Sequence, residues 1–259
     1  MSDYLFQLES HLSGAQQQAL AHVQSAATEA GLSLFLAGGA MRDMLGGFPI
    51  RDLDFTVEGN ALKMAKPLAQ RANAEIVSTD DVRRSVEFLF RGSVTVELSM
   101  ARQERYPKPA SRPIVTPSTI YEDLRRRDFT VNSIAMSLTR SSRGLRVDPN
   151  NGLGALDRKE LRAVSGYVFY DDPVRMLRAV RLGVRIRFAM DERTNFQFNS
   201  AAEAGMPSKI TPESLGAELR HIADEPSPAD VMKALEDQKL LGLFSPALAG
   251  GKLSLVGLQ

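Results

Sequence analysis

Cysteine is absent from this chain of 259 residues, and histidine occurs only three times. The absence of cysteine excludes disulfides and thiolate metal ligands, and so few histidines do not favour a histidine-rich metal site. Long apolar runs are missing as well, since none reaches the roughly 18 residues that a membrane-spanning helix needs. The opening residues, MSDYLFQLES, lack the basic and then apolar pattern of a signal peptide. We therefore expect a cytoplasmic protein without membrane contact, and nothing in the sequence indicates an obligate protein partner.

The charges that are present are unevenly distributed. The net charge is only +1, but residues 158–193 contain nine Lys or Arg against five Asp or Glu, and three adjacent arginines follow Leu124. Arginine suits phosphate binding because its guanidinium fork is rigid and always charged. The alternative is a solvated helix face.

The order of the elements predicts an α+β chain. Strand and helix patterns alternate over about the first 160 residues, and helical spacing dominates the remainder. Residues 85–98 are typical of a hairpin around a two-residue turn. Four prolines predict a loop at 106–118, and helical spacing predicts a helix over 120–138.

A pair of aspartates marks one predicted strand. In DLDFTV, residues 52–57, Asp52 and Asp54 alternate with apolar residues and so share one face, with Cα atoms roughly 6–7 Å apart. Two such carboxylates can chelate one Mg²⁺ or bridge two ions, while water or substrate phosphate fills the remaining positions. Glu97, on the polar face of the second hairpin strand, is the candidate third carboxylate. The alternative is that the D-x-D pattern arises by chance on an exposed strand.

A glycine pair lies between a predicted strand, residues 32–37, and a predicted helix. Gly38 and Gly39 let backbone amides approach a phosphate closely, and a helix N-terminus adds a favourable dipole. Arg42 lies one turn into that helix and can pair with the same phosphates. The alternative is an ordinary turn from strand to helix.

A further set of polar residues recurs at intervals of three. Asp172, Arg175 and Arg178 are predicted to lie along one face of a helix. A carboxylate can accept from the exocyclic amino group of cytosine or adenine while a guanidinium donates to the ring nitrogen beside it. Uracil and guanine reverse both bonds, and each buried mismatch costs about 1–3 kcal/mol. The pattern therefore indicates selection of C and A, and the alternative is an ion-paired structural face.

Taken in order, several segments resemble the motifs of class II tRNA nucleotidyltransferases, which comprise the CCA-adding enzymes and the related bacterial poly(A) polymerases. The segments are GGAMRD, DLD, RRRDFTVNSIA, DPNNGLGALD and DDPVRMLRAVRL. The resemblance covers roughly residues 35–248, and the ordered set of motifs is far more specific than any one of them. One departure is Ser214, where family members usually have an arginine.

The resemblance implies a role for each matching residue. Asp52 and Asp54 would bind Mg²⁺, and Glu97 would be the third catalytic carboxylate. The residues implied to bind the nucleotide are Gly38, Gly39, Arg42, Arg127, Asp128, Asn132, Asp172, Arg175, Arg178 and Arg181. Arg127 would contact a phosphate or sugar, whereas Asp128 and Asn132 would shape the ribose site.

The resemblance also implies a domain organisation and an activity. We expect a mixed-sheet nucleotidyltransferase head of the polymerase β type over residues 1–156 and an all-helical, nucleotide-selecting neck over 157–226. Residues 227–259 would be the truncated start of a helical body, because family members usually continue further. The implied reaction transfers CMP or AMP from CTP or ATP to the 3′ end of tRNA with Mg²⁺ as cofactor, in CCA addition or repair. The first alternative is an A-only enzyme or poly(A) polymerase, and the second is a non-catalytic nucleotide- or RNA-binding fragment.

Overall fold

The computed structural model describes residues 3–248, which divide into two compact units. Within that range the first unit comprises residues up to 105 together with 114–157, and the second comprises 106–113 and the residues from 158 onwards. The proline-rich segment therefore belongs partly to the second unit, where the backbone N–H of Ala110 donates to the carbonyl of Tyr170 at 2.8 Å. No helix in the described range is long and apolar enough to span a bilayer.

The first unit combines helices with two sheets. Its helices are α1 (Asp3–His11), α2 (Gly14–Glu29), α3 (Gly38–Gly46), α4 (Leu62–Ala72), α5 (Ile120–Arg125) and α6 (Gly152–Arg158). Its strands are β1 (Ser33–Ala37), β2 (Leu53–Glu58), β3 (Glu75–Asp80), β4 (Ser85–Phe90), β5 (Val94–Met100), β6 (Arg102–Arg105), β7 (Ile114–Pro117), β8 (Ala135–Ser137) and β9 (Arg146–Val147).

Seven of these strands form one mixed sheet in the order β3-β4-β5-β2-β1-β8-β9, and β6 and β7 form a separate hairpin. Strands β2 and β5 run parallel, whereas β1–β2 and β4–β5 are antiparallel. The alternation predicted for residues 52–57 is confirmed on the apolar side, since Leu53, Phe55 and Val57 are at most 1% exposed. Burial of this face holds β2 in the centre of the sheet and fixes which way its polar side chains point. The mixed sheet confirms the predicted α+β class.

Three predicted elements differ from the structure. The loop predicted over 106–118 contains β7, which pairs with β6. The β4–β5 hairpin pairs Phe90 with Val94, so its turn contains three residues rather than two, with Gly92 and Ser93 at positive φ. The helix predicted over 120–138 ends at Arg125, and strand β8 follows and pairs with β1. Pairing with a central strand satisfies backbone hydrogen bonds and buries apolar side chains, and this tertiary gain outweighs local helical spacing.

The second unit is mainly helical. Its elements are β10 (Glu160–Leu161), α7 (Val168–Asp171), α8 (Val174–Ile186), β11 (Ala189–Met190), α9 (Glu192–Glu203), α10 (Pro212–Ala223) and α11 (Pro228–Asp237). Helix α8 packs against α10 and α11. Thr211 caps the N-terminus of α10, because its hydroxyl accepts from the N–H of Ser214 at 3.2 Å. A body beginning at residue 227 stays a prediction.

Candidate functional site

The carboxylates of Asp54 and Glu97 lie on neighbouring strands at the same level. The two residues are register partners on the parallel strands β2 and β5, so their side chains project from the same face of the sheet. Asp52 lies one residue before β2 and is exposed, whereas Asp54 is half-buried. The prediction that both aspartates belong to one strand is therefore correct only for Asp54.

Asp54 lies in a cluster of negative charge that Arg127 offsets only in part. The pKa of Asp54 is raised to about 7. Burial is the largest cause, the negative charges of Glu97 and Asp52 add to it, and the positive charge of Arg127 opposes it. A divalent cation beside these groups would relieve their mutual repulsion. Carboxylate oxygens are also the ligands that Mg²⁺ prefers. The residues present therefore fit a magnesium ion.

The cluster does not form a complete metal cage. Among residues 3–248, no three or more His, Cys, Asp or Glu side chains are arranged to hold a metal ion together. Magnesium usually binds through one or two carboxylates, with water and substrate phosphates as its other ligands. Asp52 and Asp54 can supply such a partial set, and the role of Glu97 as a third ligand stays a prediction.

The glycine pair at the start of α3 makes room for the charged side chains around it. At Gly38, where φ is +66°, an added Cβ would lie 2.8 Å from Arg127 Nη1 and 3.1 Å from Asp54 Oδ2. At Gly39 an added Cβ would lie 3.1 Å from the same oxygen. The N–H of Ala40 donates to Asp54 Oδ2 at 3.3 Å. The glycines thus bring the start of the helix against the carboxylate, a role that the sequence did not predict.

Side-chain hydrogen bonds join two of the sequence motifs. Arg42 is buried, forms an ion pair with Asp43 (Nη2–Oδ1, 2.7 Å) and donates from Nη1 to Asn132 Oδ1 at 2.7 Å. Asn132 Nδ2 in turn donates to Asp128 Oδ1 at 3.0 Å. The predicted nucleotide-binding residues Arg42, Asp128 and Asn132 therefore lie together and orient one another. Their direct contact with a nucleotide stays a prediction.

Arg127 is anchored by Asp123 and Thr56, which the sequence motifs did not indicate. Its Nε and Nη2 donate to Asp123 Oδ2 at 3.2 and 2.9 Å, and Nη2 also donates to Thr56 Oγ1 at 3.3 Å. Nη1 donates to the carbonyl of Asn132 at 3.3 Å. The spacing of four residues between Asp123 and Arg127 in a segment predicted to be helical was a signal for this pair, although α5 ends at Arg125.

In the second unit, Asp172 does not lie on the predicted helix face. Helix α8 begins at Val174, and Asp172 precedes it with extended backbone (φ −140°, ψ 95°). The physical reason is Pro173, which disfavours the helical conformation for the residue before it. Asp172 Oδ2 nevertheless lies 3.8 Å from Arg175 Nε. The structure thus brings Asp172 and Arg175 together, while Arg178 lies one turn further along α8.

Arg181 has structural partners within the second unit. Its Nε donates to Glu218 Oε1 at 2.6 Å, and its Nη1 donates to Glu225 Oε1 at 2.8 Å. All three residues are buried. This arrangement matches the alternative of an ion-paired structural face, and contact of Arg181 with a nucleotide stays a prediction. Local sequence patterns could not predict that Arg181 pairs with Glu218 and Glu225, because both lie far away along the chain.

A mixed sheet that places acidic side chains beside a glycine-rich helix start defines a nucleotidyltransferase head. Residues 34–162 match the family described as the poly A polymerase head domain. The chain belongs to this family of tRNA nucleotidyltransferases and poly(A) polymerases.

Curated relatives show the same affiliation. An A-adding tRNA nucleotidyltransferase of Aquifex aeolicus is 37% identical over 175 residues, which are 68% of this chain and 21% of that protein. An A-adding tRNA nucleotidyltransferase of Halalkalibacterium halodurans is 33% identical over 96% of this chain and 60% of that protein. A multifunctional CCA protein of Thioalkalivibrio sulfidiphilus is 31% identical over 84% of this chain and 51% of that protein. The chain thus spans at most 60% of the length of these relatives.

Solved structures show a similar fold. The chain matches the apo form II of a CCA-adding enzyme with a TM-score of 0.78 and 28% identity, over 94% of this chain and 57% of that one. It matches a CCA-adding enzyme with CTP at a TM-score of 0.75 and 27% identity, over 94% and 56% of the two chains. A tRNA nucleotidyltransferase complexed with a primer tRNA and an incoming ATP analog matches with a TM-score of 0.70 and 30% identity. The match covers 86% of this chain and 62% of that chain.

Proposed function

We propose that this chain carries the catalytic head and the nucleotide-selecting helices of a template-independent RNA nucleotidyltransferase. The reaction is transfer of CMP or AMP from CTP or ATP to the 3′ end of tRNA, with release of pyrophosphate. The single observation that carries the proposal is the register of Asp54 with Glu97, which concentrates negative charge beside the start of α3. Relatives that are named for A addition or CCA addition support the choice of tRNA as acceptor. A cytoplasmic location stays a prediction.

The side chains of the first unit have distinct parts in the proposed reaction. Asp52 and Asp54 would hold Mg²⁺, which when bound activates the attacking hydroxyl and stabilises the leaving pyrophosphate. The amides and dipole at the start of α3 favour the negative charge of a triphosphate. Arg42 and Arg127 add positive charge close by, and their partners keep both guanidinium groups in fixed orientations.

Base selection is assigned to the second unit. Asp172 and Arg175, with 3.8 Å between Oδ2 and Nε, present an acceptor and a donor side by side. This pair matches the amino group and ring nitrogen that cytosine and adenine share, and it mismatches uracil and guanine. We therefore expect incorporation from CTP and ATP and rejection of UTP and GTP.

A second candidate is an enzyme that adds only A. It is favoured by the names of the relatives with 37% and 33% identity, both of which are A-adding tRNA nucleotidyltransferases. An A-only enzyme would extend a tRNA ending in C-C with ATP and would add nothing from CTP to a tRNA that lacks its last three nucleotides. A poly(A) polymerase would add a long run of A to either acceptor.

The test is incorporation of each labelled triphosphate, separately and in pairs, into tRNA trimmed by one, two and three nucleotides. The CCA reading predicts C from CTP on the fully trimmed acceptor and completion of the end when ATP is added. Asp52→Ala should abolish incorporation, and label entering RNA at the wild-type rate in that variant would refute the mechanism. Nucleotide binding without turnover on any acceptor would instead support a non-catalytic binding fragment.

A further inference from the structure

Asp123 is a buried carboxylate that the proposed reaction does not use. Its side chain is 0% exposed, and its two oxygens accept from Arg126 Nη2 at 2.5 Å and from Arg127 Nη2 at 2.9 Å. The N–H of Arg102 donates to Asp123 Oδ1 at 3.2 Å. Burial raises the pKa of Asp123, but the positive charges of Arg127 and Arg126 outweigh burial and hold the pKa below its usual value. Asp123 is therefore an ionised anchor for both guanidinium groups.

The guanidinium of Arg127 lies close to the carboxylate that would bind the metal. Arg127 Nη1 and Asp54 Oδ2 both border the space that a side chain at Gly38 would fill, at 2.8 and 3.1 Å from an added Cβ. The ion pair of Arg127 nevertheless goes to Asp123. An arginine and an aspartate in such proximity attract each other strongly when they are shielded from water. A guanidinium released from Asp123 would turn to Asp54 and compete with a metal ion.

Thr56 provides a second anchor for the same guanidinium. Its hydroxyl accepts from Arg127 Nη2 at 3.3 Å, and the residue is 1% exposed. Thr56 lies two positions after Asp54 on β2, so both side chains occupy one face of the strand. Asp123 on α5 and Thr56 on β2 thus hold one end of the guanidinium, and the carbonyl of Asn132 accepts from Nη1 at 3.3 Å.

We propose that Asp123 is a positioning residue that holds Arg127 away from Asp54 and so keeps that carboxylate open to a divalent cation. Thr56 assists by accepting from Nη2, the same nitrogen that donates to Asp123. The inference rests on the proposed function, because it assumes that Asp54 is a metal ligand. Its consequence is that metal affinity depends on a residue that never touches the metal.

The test is a titration of the chain with MnCl₂, in which free Mn²⁺ is followed by electron paramagnetic resonance. Asp123→Asn should weaken Mn²⁺ binding about tenfold, the lower end of the effect seen when a partner of a metal ligand is removed. The double variant Asp123→Asn/Arg127→Gln should recover most of that loss, because the competing guanidinium is gone. A merely structural role for Asp123 would leave the double variant as weak as the single one, and that result would overturn the proposal.

Control variants separate the positioning role of Asp123 from a general effect of changing a buried residue. Glu104→Gln removes another buried carboxylate from the same charge network, one that pairs with Arg102 and Arg126, and it should leave Mn²⁺ affinity unchanged. If Asp123→Asn does not fold, Thr56→Val should weaken Mn²⁺ binding in the same direction, whereas Thr56→Ser keeps the hydroxyl and should not.

The metal site at Asp54 and the positioning role of Asp123 can be refuted separately. If Asp54→Asn binds Mn²⁺ as tightly as the wild-type chain, the metal site itself is wrong and the proposed function fails with it. If Asp54→Asn abolishes binding but Asp123→Asn and Thr56→Val bind like the wild type, only the positioning role is refuted.

Discussion

Asp54 and Glu97 face each other across the parallel strands β2 and β5. This register puts two like charges side by side, and burial of Asp54 makes their repulsion more costly. Packing of the apolar face of β2 fixes its register with β5. The carboxylates of Asp54 and Glu97 therefore stay close together despite their repulsion. Local arrangements that lower stability in this way are typical of functional sites.

Replacing Asp54 by Asn should therefore stabilise the metal-free protein. At pH 8, above the pKa of about 7, the substitution removes a charge that burial and Glu97 both disfavour, and the expected gain is about 1–3 kcal/mol in the free energy of unfolding. Thermal unfolding in EDTA measures it. Asp52→Asn is the control, because Asp52 is exposed and should change stability much less. A Tm that falls for Asp54→Asn would contradict the assigned electrostatics.

Glu97→Gln tests the third carboxylate. If Glu97 helps to hold the metal, the variant should lose at least about tenfold of its incorporation activity and need more Mg²⁺ to reach half-maximal rate. Glu87→Gln is a matched control, since Glu87 is the register partner of Glu97 on β4 and accepts from Ser78 Oγ at 3.1 Å. Equal effects of the two substitutions would argue against a specific role for Glu97.

Glu218→Gln should destabilise the second unit. The substitution removes the ion pair between Arg181 and Glu218 and leaves the pair with Glu225. Because the guanidinium of Arg181 is buried, the free energy of unfolding should fall by about 3 kcal/mol. Glu160→Gln breaks the exposed pair with Arg158 and should cost less than about 1 kcal/mol. Urea unfolding of both variants gives the comparison, and similar losses would show that burial of the pair contributes little.

Asp123 should make folding sensitive to acid. Its pKa is lowered in the folded chain by Arg127 and Arg126 despite burial, so its contribution is complete above the unfolded pKa of about 4 and disappears as the pH falls through the folded value. The difference in Tm between wild type and Asp123→Asn should therefore be largest near neutral pH and shrink as the pH drops below about 4. A difference that stays constant over this range would show that the charge of Asp123 is not what stabilises the fold.

Local patterns predicted several elements well. The buried apolar face of Leu53, Phe55 and Val57 and the exposed position of Glu97 follow from side chains alternating across a strand, and the structure has both, although Asp52 precedes β2 and Thr56 is buried. Helical spacing predicted Asp172 on the face of α8, but Pro173 disfavours helical backbone at the residue before it, and Asp172 is extended. The helix predicted over 120–138 was wrong because β8 gains more from pairing with β1 than from continuing the helix.

The sequence by itself determined the local chemistry of this chain: an acidic pair, a glycine pair and arginine-rich segments in an order that already identified the family. Only the tertiary structure decided that Asp54 faces Glu97, that Arg127 is held by Asp123 and Thr56, and that Arg181 pairs with Glu218. The physical reason is that strand register and burial bring together residues far apart in the chain, and both depend on how the whole apolar core packs.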